Sequence, residues 1–249
     1  MNSLWFEPEW PAPSRIRVLS TLRGEPDGGG ASKAPYACFN LGDHVGDDPL
    51  AVAENRRILT REAGLPAEPS WLAQVHGVTV ADLDGAGPYA AADAAMTRRA
   101  GKVCAILTAD CLPVVLATDA GDAVAAAHAG WRGLAAGVIG ATVRAMTAQP
   151  ERLIAWLGPA IGPSHFEVGG EVRLAFLRGD PAAGDAFKAS AGGKFMADLA
   201  MLASRQLGRL GVNRIYGGGE CTYTRADRYF SHRRDGVTGR QATLVWREA

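Results

Sequence analysis

The sequence predicts a single α+β domain built on mixed β-sheet, and three observations predict it. Short runs rich in β-branched residues or alanine, such as Val103–Thr108, Val114–Thr118 and Leu153–Leu157, are bounded by Asp, Pro and Gly, as buried strands with tight turns are. Two stretches place apolar residues at helical spacing: Trp131, Leu134, Ala135, Val138, Ile139, Thr142, Ala145 and Met146, then Leu199, Leu202, Ala203, Leu207 and Leu210. Strands fall before, between and after these helices, which favours mixed sheet over a regular βαβ winding. At 249 residues the chain can bury a full core.

The 26 Lys and Arg balance the 26 Asp and Glu, so no global field points to nucleic acid or an anionic membrane. Glu7, Pro8 and Glu9 interrupt any apolar stretch in residues 1–20, and no run approaches the roughly 18 apolar residues of a membrane span. A cytoplasmic protein is expected, monomeric or weakly homo-oligomeric, acting on a small molecule. Four cysteines, Cys38, Cys104, Cys111 and Cys221, lack paired CxxC spacing, which argues against a structural zinc finger and for free thiols.

In chain order, Ile16–Leu22 reads as a strand and residues 24–31, with four glycines, as a loop. Tyr36–Pro49 is dense in polar groups without helical or strand period, the mark of a functional loop. Asp48 followed by Pro49 is an N-cap with proline at N1, predicting a helix to about Ala63 that stops at Gly64-Leu65-Pro66. Arg57 reads as solvated face, Arg56 less so. Ser70–Val75 and Val78–Leu83 look like strands broken by His76-Gly77, and Asp93–Thr97 leads into the central strands. A third central strand is expected over Asp122–Ala127, with the stripe from Trp131 to Met146 forming one helix after it. Gly158–Pro163 predicts a rigid turn, Val172–Leu177 a short helix, and Gly179–Gly193 a surface loop. Gly211 closes the second helical stripe at C′, and Arg214–Tyr216 and Ala242–Trp246 are the last strands. Between them, Tyr229–Arg240 clusters arginines beside Gly and Thr, which suits a phosphate or carboxylate ligand as well as a surface turn.

His76, Cys111 and His128 each sit where an apolar run gives way to a turn. Two imidazoles and a thiolate suit a first-row metal ion with one coordination position left open, as in catalytic zinc sites. Zinc is favoured, with copper a competitor, because soft sulfur and imidazole suit both. Spacings of 35 and 17 residues do not force convergence. Cys111 and His128 alone also suit a nucleophile and base for amide or ester hydrolysis. The pattern leaves both readings open. Asp110 is expected to face away from Cys111, as a turn residue or a support behind it.

The strings FNLGDHVGDDP with ENRR, QVHG, TADCLPV, HAGWRG, GPAIGP with FEVG, and YFSHRRDGVTGRQATLVW resemble the bacterial polyphenol oxidase, or laccase-domain, family from about Phe39 to Trp246. Its members are described as purine nucleoside phosphorylases and, in some bacteria, as peptidoglycan-editing factors. The resemblance implies a single-domain α/β/β/α sandwich, with His76, Cys111 and His128 as zinc ligands and Cys111 and His128 catalytic. It implies phosphorolysis of adenosine, inosine or methylthioadenosine, and deamination of adenosine. Phosphorolysis needs an anion clamp, for which Arg132 and Arg233 are the expected residues, while Asn40 and His44 are expected to contact sugar or base. A related toxin deamidase keeps a Cys-His hydrolase or amidase acting on cell-wall precursors as the alternative. With five histidines the chain cannot furnish a multicopper cluster, so copper-dependent phenol oxidation would rest on a single ion. Ser164-His165 stands where relatives often carry cysteine, His232 where they often carry tyrosine, and the 24–31 loop looks longer than usual; these departures bear on substrate preference.

Overall fold

The computed structural model describes residues 4–25, 28–85 and 91–249. Residues 26–27 of the expected 24–31 loop, and residues 1–3 of the N-terminal stretch, lie outside the described residues. In chain order the strands are β1 (Trp5–Phe6), β2 (Ile16–Thr21), β3 (Val80–Asp82), β4 (Ala94–Thr97), β5 (Val103–Thr108), β6 (Leu112–Thr118), β7 (Val124–Ala129), β8 (Leu153–Leu157), β9 (Glu167–Val168), β10 (Phe187–Ala189), β11 (Phe195–Ala197), β12 (Arg214–Gly217) and β13 (Gln241–Arg247). The helices are α1 (Pro49–Glu62), α2 (Trp131–Ala136), α3 (Val138–Ala145), α4 (Gly170–Leu177), α5 (Leu199–Arg209) and α6 (His232–Asp235). Among the described residues, no helix is long and apolar enough to cross a membrane.

A four-stranded antiparallel sheet, β1-β2-β13-β5, packs on a six-stranded mixed sheet, β12-β8-β6-β7-β4-β3. Strand alternation sends side chains to both faces, so each sheet feeds two cores. Between the sheets meet Ile16, Val18, Cys104, Ile106 and Val245 from the first and Val115, Ala117, Val124, Ala126, Ile154 and Trp156 from the second. The outer face of the first, with Leu19, Val103, Ala105, Leu107 and Leu244, is covered by Leu59 of α1 and by Phe39 and Leu41. The outer face of the second, with Val114, Leu116, Ala125, Ala127, Leu153, Ala155 and Leu157, is covered by Leu134, Val138, Ile139, Leu202 and Leu207 of α2, α3 and α5. The layers therefore run α1, four-stranded sheet, six-stranded sheet, α2–α5, which is the α/β/β/α sandwich the resemblance implied. A small third sheet, β10-β11-β9, packs beside α4.

The differences from the sequence reading have local causes. Ser70–Val75 forms no strand beyond a single bridge at Ser70. Its pairing with β5 is replaced by a side chain: the Gln74 amide both donates to the Leu107 carbonyl and accepts from the Leu107 N–H, each at 2.8 Å. The strand expected over Val78–Leu83 is confined to β3. The third central strand begins at Val124, because Asp122 is held in the preceding turn by Thr118, and it runs on through His128 and Ala129. The helix expected from Trp131 to Met146 is two helices, since Gly137 adopts φ 97°, a left-handed cap that glycine takes without strain. The expected surface loop at Gly179–Gly193 contains β10, which pairs with β11.

Candidate metal centre

The site forms where the chain crosses between the two sheets. β5 belongs to the first sheet and β6 to the second, so residues 109–111 bridge the layers. Asp110 takes φ 92° in that turn, a conformation uncommon for a residue with a side chain. It is held there by Thr222 Oγ1, which donates to its carboxylate at 2.7 Å, and by the Arg233 N–H, also at 2.7 Å. Its buried side chain is thus engaged away from Cys111, as a turn residue. Leu112 pairs with Ala129 and Pro113 with His128, so Cys111 emerges beside the end of β7. His128 alternates with Val124 and Ala126 along β7 and is buried.

His76 arrives from the loop before β3, in the left-handed region at φ 60°. Asp93 holds it there. Its carboxylate, fully buried, accepts from the backbone N–H groups of Val75 (3.1 Å), His76 (2.9 Å) and Gly77 (2.6 Å). The same carboxylate lies 2.8 Å from His128 Nδ1. One side chain therefore fixes the loop of one imidazole and the ring of the other. In the neutral ring, Nδ1–H given to Asp93 leaves His128 Nε2 as the lone pair that an ion would take. Gly133 of α2 completes the arrangement, because a Cβ there would stand 2.9 Å from the Gly77 carbonyl.

The ligand atoms of His76, Cys111 and His128 lie within 4.8 Å of one another, with Cys111 Sγ 3.9 Å from His76 Nε2. The two imidazoles meet edge to face at 4.7 Å. Tetrahedral zinc, with bonds of about 2.3 Å to sulfur and about 2.0 Å to nitrogen, sets such atoms roughly 3.5 Å apart, so small side-chain rotations close the set around one ion. Burial raises the Cys111 thiol pKa, but the His128 and His76 rings outweigh it and bring the thiol to about 6. Burial lowers His128, yet Cys111 and Asp93 lift it to about 9. Asp93 is opposed by burial and still falls to about 2, through His128 and the N–H groups of Gly77 and Val75. The surroundings thus favour thiolate, the form of cysteine that binds metal or attacks a carbonyl.

Gly130, the cap residue of α2, touches all three. A Cβ built there would lie 2.8 Å from Cys111 Sγ, 3.0 Å from His76 Cδ2 and 3.4 Å from His128 Nε2. Its φ of −62° is open to any residue, so the constraint is space and not backbone strain. Gly130→Ala is expected to fold, by circular dichroism, and to lose at least about tenfold in metal affinity, the scale of support around a metal site. Full metal content in this variant, by elemental analysis, would show that the donors do not close beneath Gly130.

Residues 25–248 match the family described as multi-copper polyphenol oxidoreductase laccase. The chain belongs to that family. It is 52% identical over 247 residues to a purine nucleoside phosphorylase of Pseudomonas aeruginosa, covering 99% of each chain. It is 50% identical over 241 residues to purine nucleoside phosphorylase YfiH of Escherichia coli K12, covering 96% of this chain and 97% of that one. The crystal structure of protein NMB0706 from Neisseria meningitidis superposes with a TM-score of 0.92 at 45% identity, covering 99% of this chain and 100% of that chain. YlmD from Geobacillus stearothermophilus follows at 0.91 and 31% identity, covering 99% of this chain and 97% of that chain.

Within this laccase-family fold the other expected site residues have partners of their own. Asn40 is fully buried, and its amide serves the loop: Nδ2 donates to the Gly42 carbonyl and Asp47, while Oδ1 accepts from the Gly42 and Arg240 N–H groups. His44 is exposed on the same loop, 3.5 Å from Asp43. Arg132 is exposed, with its guanidinium over the Trp131 ring at 4.6 Å. Arg233 is turned to the carbonyls of His165 and Glu167 and lies over Phe166 at 5.3 Å. Arg56 is not a solvated side chain: it donates to the Leu41 carbonyl from Nε and Nη2 and stacks on Trp71 at 4.4 Å. Sequence reasoning missed Asp93, whose only visible sign is an acidic residue opening an otherwise apolar strand.

Proposed function

We propose that the protein is a zinc-dependent purine nucleoside phosphorylase that also deaminates adenosine. The observation that carries this reading is the convergence of His76, Cys111 and His128 beneath Gly130, in a chain about half identical, end to end, to relatives named purine nucleoside phosphorylases. His76, Cys111 and His128 would hold the ion, which when bound supplies a Lewis acid and a water nucleophile near neutral pH. Asp93 keeps the His128 ring in the tautomer that offers Nε2. In phosphorolysis the bond from the purine nitrogen to C1′ breaks, a phosphate oxygen bonds to C1′, and the departing purine takes the electron pair and a proton. In deamination, water oxygen replaces the C6 amino group, which leaves as ammonia. Adenosine, inosine and methylthioadenosine are the substrates of this reading. His44 and Arg132, both exposed, remain its contacts at sugar, base or anion.

A second reading is a Cys-His hydrolase, which Cys111 held within 4.8 Å of His128 and lowered toward the thiolate also suits. Metal content of protein purified without added metal, paired with chromatography of inosine and adenosine incubated with and without phosphate, tests the first reading. Zinc near one equivalent with phosphate-dependent release of hypoxanthine is expected. Metal-free protein that leaves both nucleosides intact would overturn it, and copper in place of zinc would correct the ion.

A further inference from the structure

Arg240 lies against the turn that carries Cys111, and among the described residues it has no ion-paired carboxylate. It immediately precedes β13, whose Gln241 pairs with Thr108 at the end of β5, so the antiparallel register sets residue 240 against the turn that carries Cys111. Its main chain is pinned to the polar loop: the N–H donates to Asn40 Oδ1 at 2.8 Å and the carbonyl accepts from Leu41 at 3.1 Å. Gly42 leaves room for its side chain, since a Cβ at Gly42 would meet Arg240 Cγ at 2.7 Å. Asn40, Gly42 and Arg240 thus form one built unit.

The guanidinium is half-buried, and Nη1 donates to the carbonyls of Thr238 (3.0 Å) and Gly239 (2.9 Å). Nε and Nη2 have no hydrogen-bond partner among the described residues. Like the half-buried Arg23 and Arg247, Arg240 has no carboxylate pair among the described residues; what sets it apart is its place at the turn that carries Cys111. Cys111, Asp110 and Tyr36 are the groups whose charge reaches it. Both Asp110 oxygens are already taken, by Thr222 and by the Arg233 N–H. A half-buried cation with an edge of its fork unused, beside the turn that carries Cys111, is an arrangement completed by an anion.

We propose that Arg240 is the anion-binding residue of this site and takes inorganic phosphate through Nε and Nη2. The assignment rests on the phosphorylase reading, and it takes Arg240 in place of Arg233, which is exposed and lies over Phe166, whereas Arg240 is half-buried at the turn that carries Cys111. The planar fork matches two phosphate oxygens at once, which an ammonium on a flexible stem does not. Arg240 therefore sets the affinity for phosphate and leaves that for nucleoside nearly unchanged.

The test titrates inorganic phosphate calorimetrically into metal-loaded wild type, Arg240→Lys and Arg240→Gln, and measures KM for phosphate and for inosine separately. Because the bonds of residue 240 to Asn40 and Leu41 come from its main chain, both variants are expected to keep the fold and the metal, checked by circular dichroism and elemental analysis. Loss of one charge-assisted, two-point contact is expected to weaken phosphate binding about 30-fold or more in Arg240→Gln, with a smaller loss in Arg240→Lys and KM for inosine within about twofold. Wild type that binds phosphate through Arg240 but cleaves no nucleoside would overturn the phosphorylase reading and leave the anion site standing. Phosphate affinity unchanged in Arg240→Gln, or no phosphate binding by wild type, would overturn the anion site. A variant that loses the fold or the metal would make Arg240 structural and overturn it equally.

Discussion

Cys111→Ala is expected to lose bound metal and nucleoside cleavage together, with kcat/KM down by about a thousandfold or more, because among the described residues no further ligand group joins the set to take the thiolate's place. Zinc sites of this open type rely on three protein ligands, and here the described residues bring together one such set. Of the remaining two, His76 is exposed and its loop depends on Asp93, so two imidazoles alone hold an ion weakly. Alanine removes only Sγ from a site already shaped around small groups, and the buried turn at Asp110 keeps its own bonds to Thr222 and Arg233, so the fold is expected to persist. Elemental analysis and chromatography of inosine with phosphate check it. Lost activity with one equivalent of metal retained would move the chemistry to Cys111 as nucleophile, and retained activity would remove the thiol from either mechanism.

The candidate ligands were legible in the sequence; the residue that positions them was not. His76, Cys111 and His128 could be picked out because each interrupts an apolar run, and a polar group at such a break has a reason other than packing. For Asn40 the pattern does not separate two roles: a polar loop looks alike whether its groups face a ligand or one another, and in the structure Asn40 bonds Gly42, Asp47 and Arg240. Strand runs whose partners are main chain, such as β5, β6 and β8, were legible through alternation and β-branching. Ser70–Val75 was not, because a side-chain amide at Gln74 does the pairing and periodicity does not register it. Asp93 escaped for a related reason. Its partners His76 and His128 are 17 and 35 residues away, and only the closed fold brings them to one carboxylate.

That carboxylate carries the second large effect. Asp93→Ala leaves three backbone N–H groups and the buried His128 ring without their acceptor. Breaking one side of a buried charged network typically costs about 3–5 kcal/mol, so the urea midpoint of the metal-free protein is expected to fall by a correspondingly large step. Asp93→Asn separates the two duties of the residue. An amide of the same shape keeps one acceptor oxygen for the loop but offers N–H where His128 Nδ1–H or a backbone N–H needs an acceptor. Its expected cost in stability is smaller, while metal affinity falls about 10–100-fold, because the imidazole loses the partner that fixes its tautomer. Equilibrium unfolding with and without zinc reads both quantities in one experiment, since the metal's contribution is the difference between the two curves. A large loss of stability in Asp93→Asn with zinc affinity intact would confine Asp93 to holding the 75–77 loop. Equal zinc affinity in Asp93→Ala and wild type would mean that His128 needs no orienting partner, and that the metal-site geometry derives from the β6–β7 pairing alone.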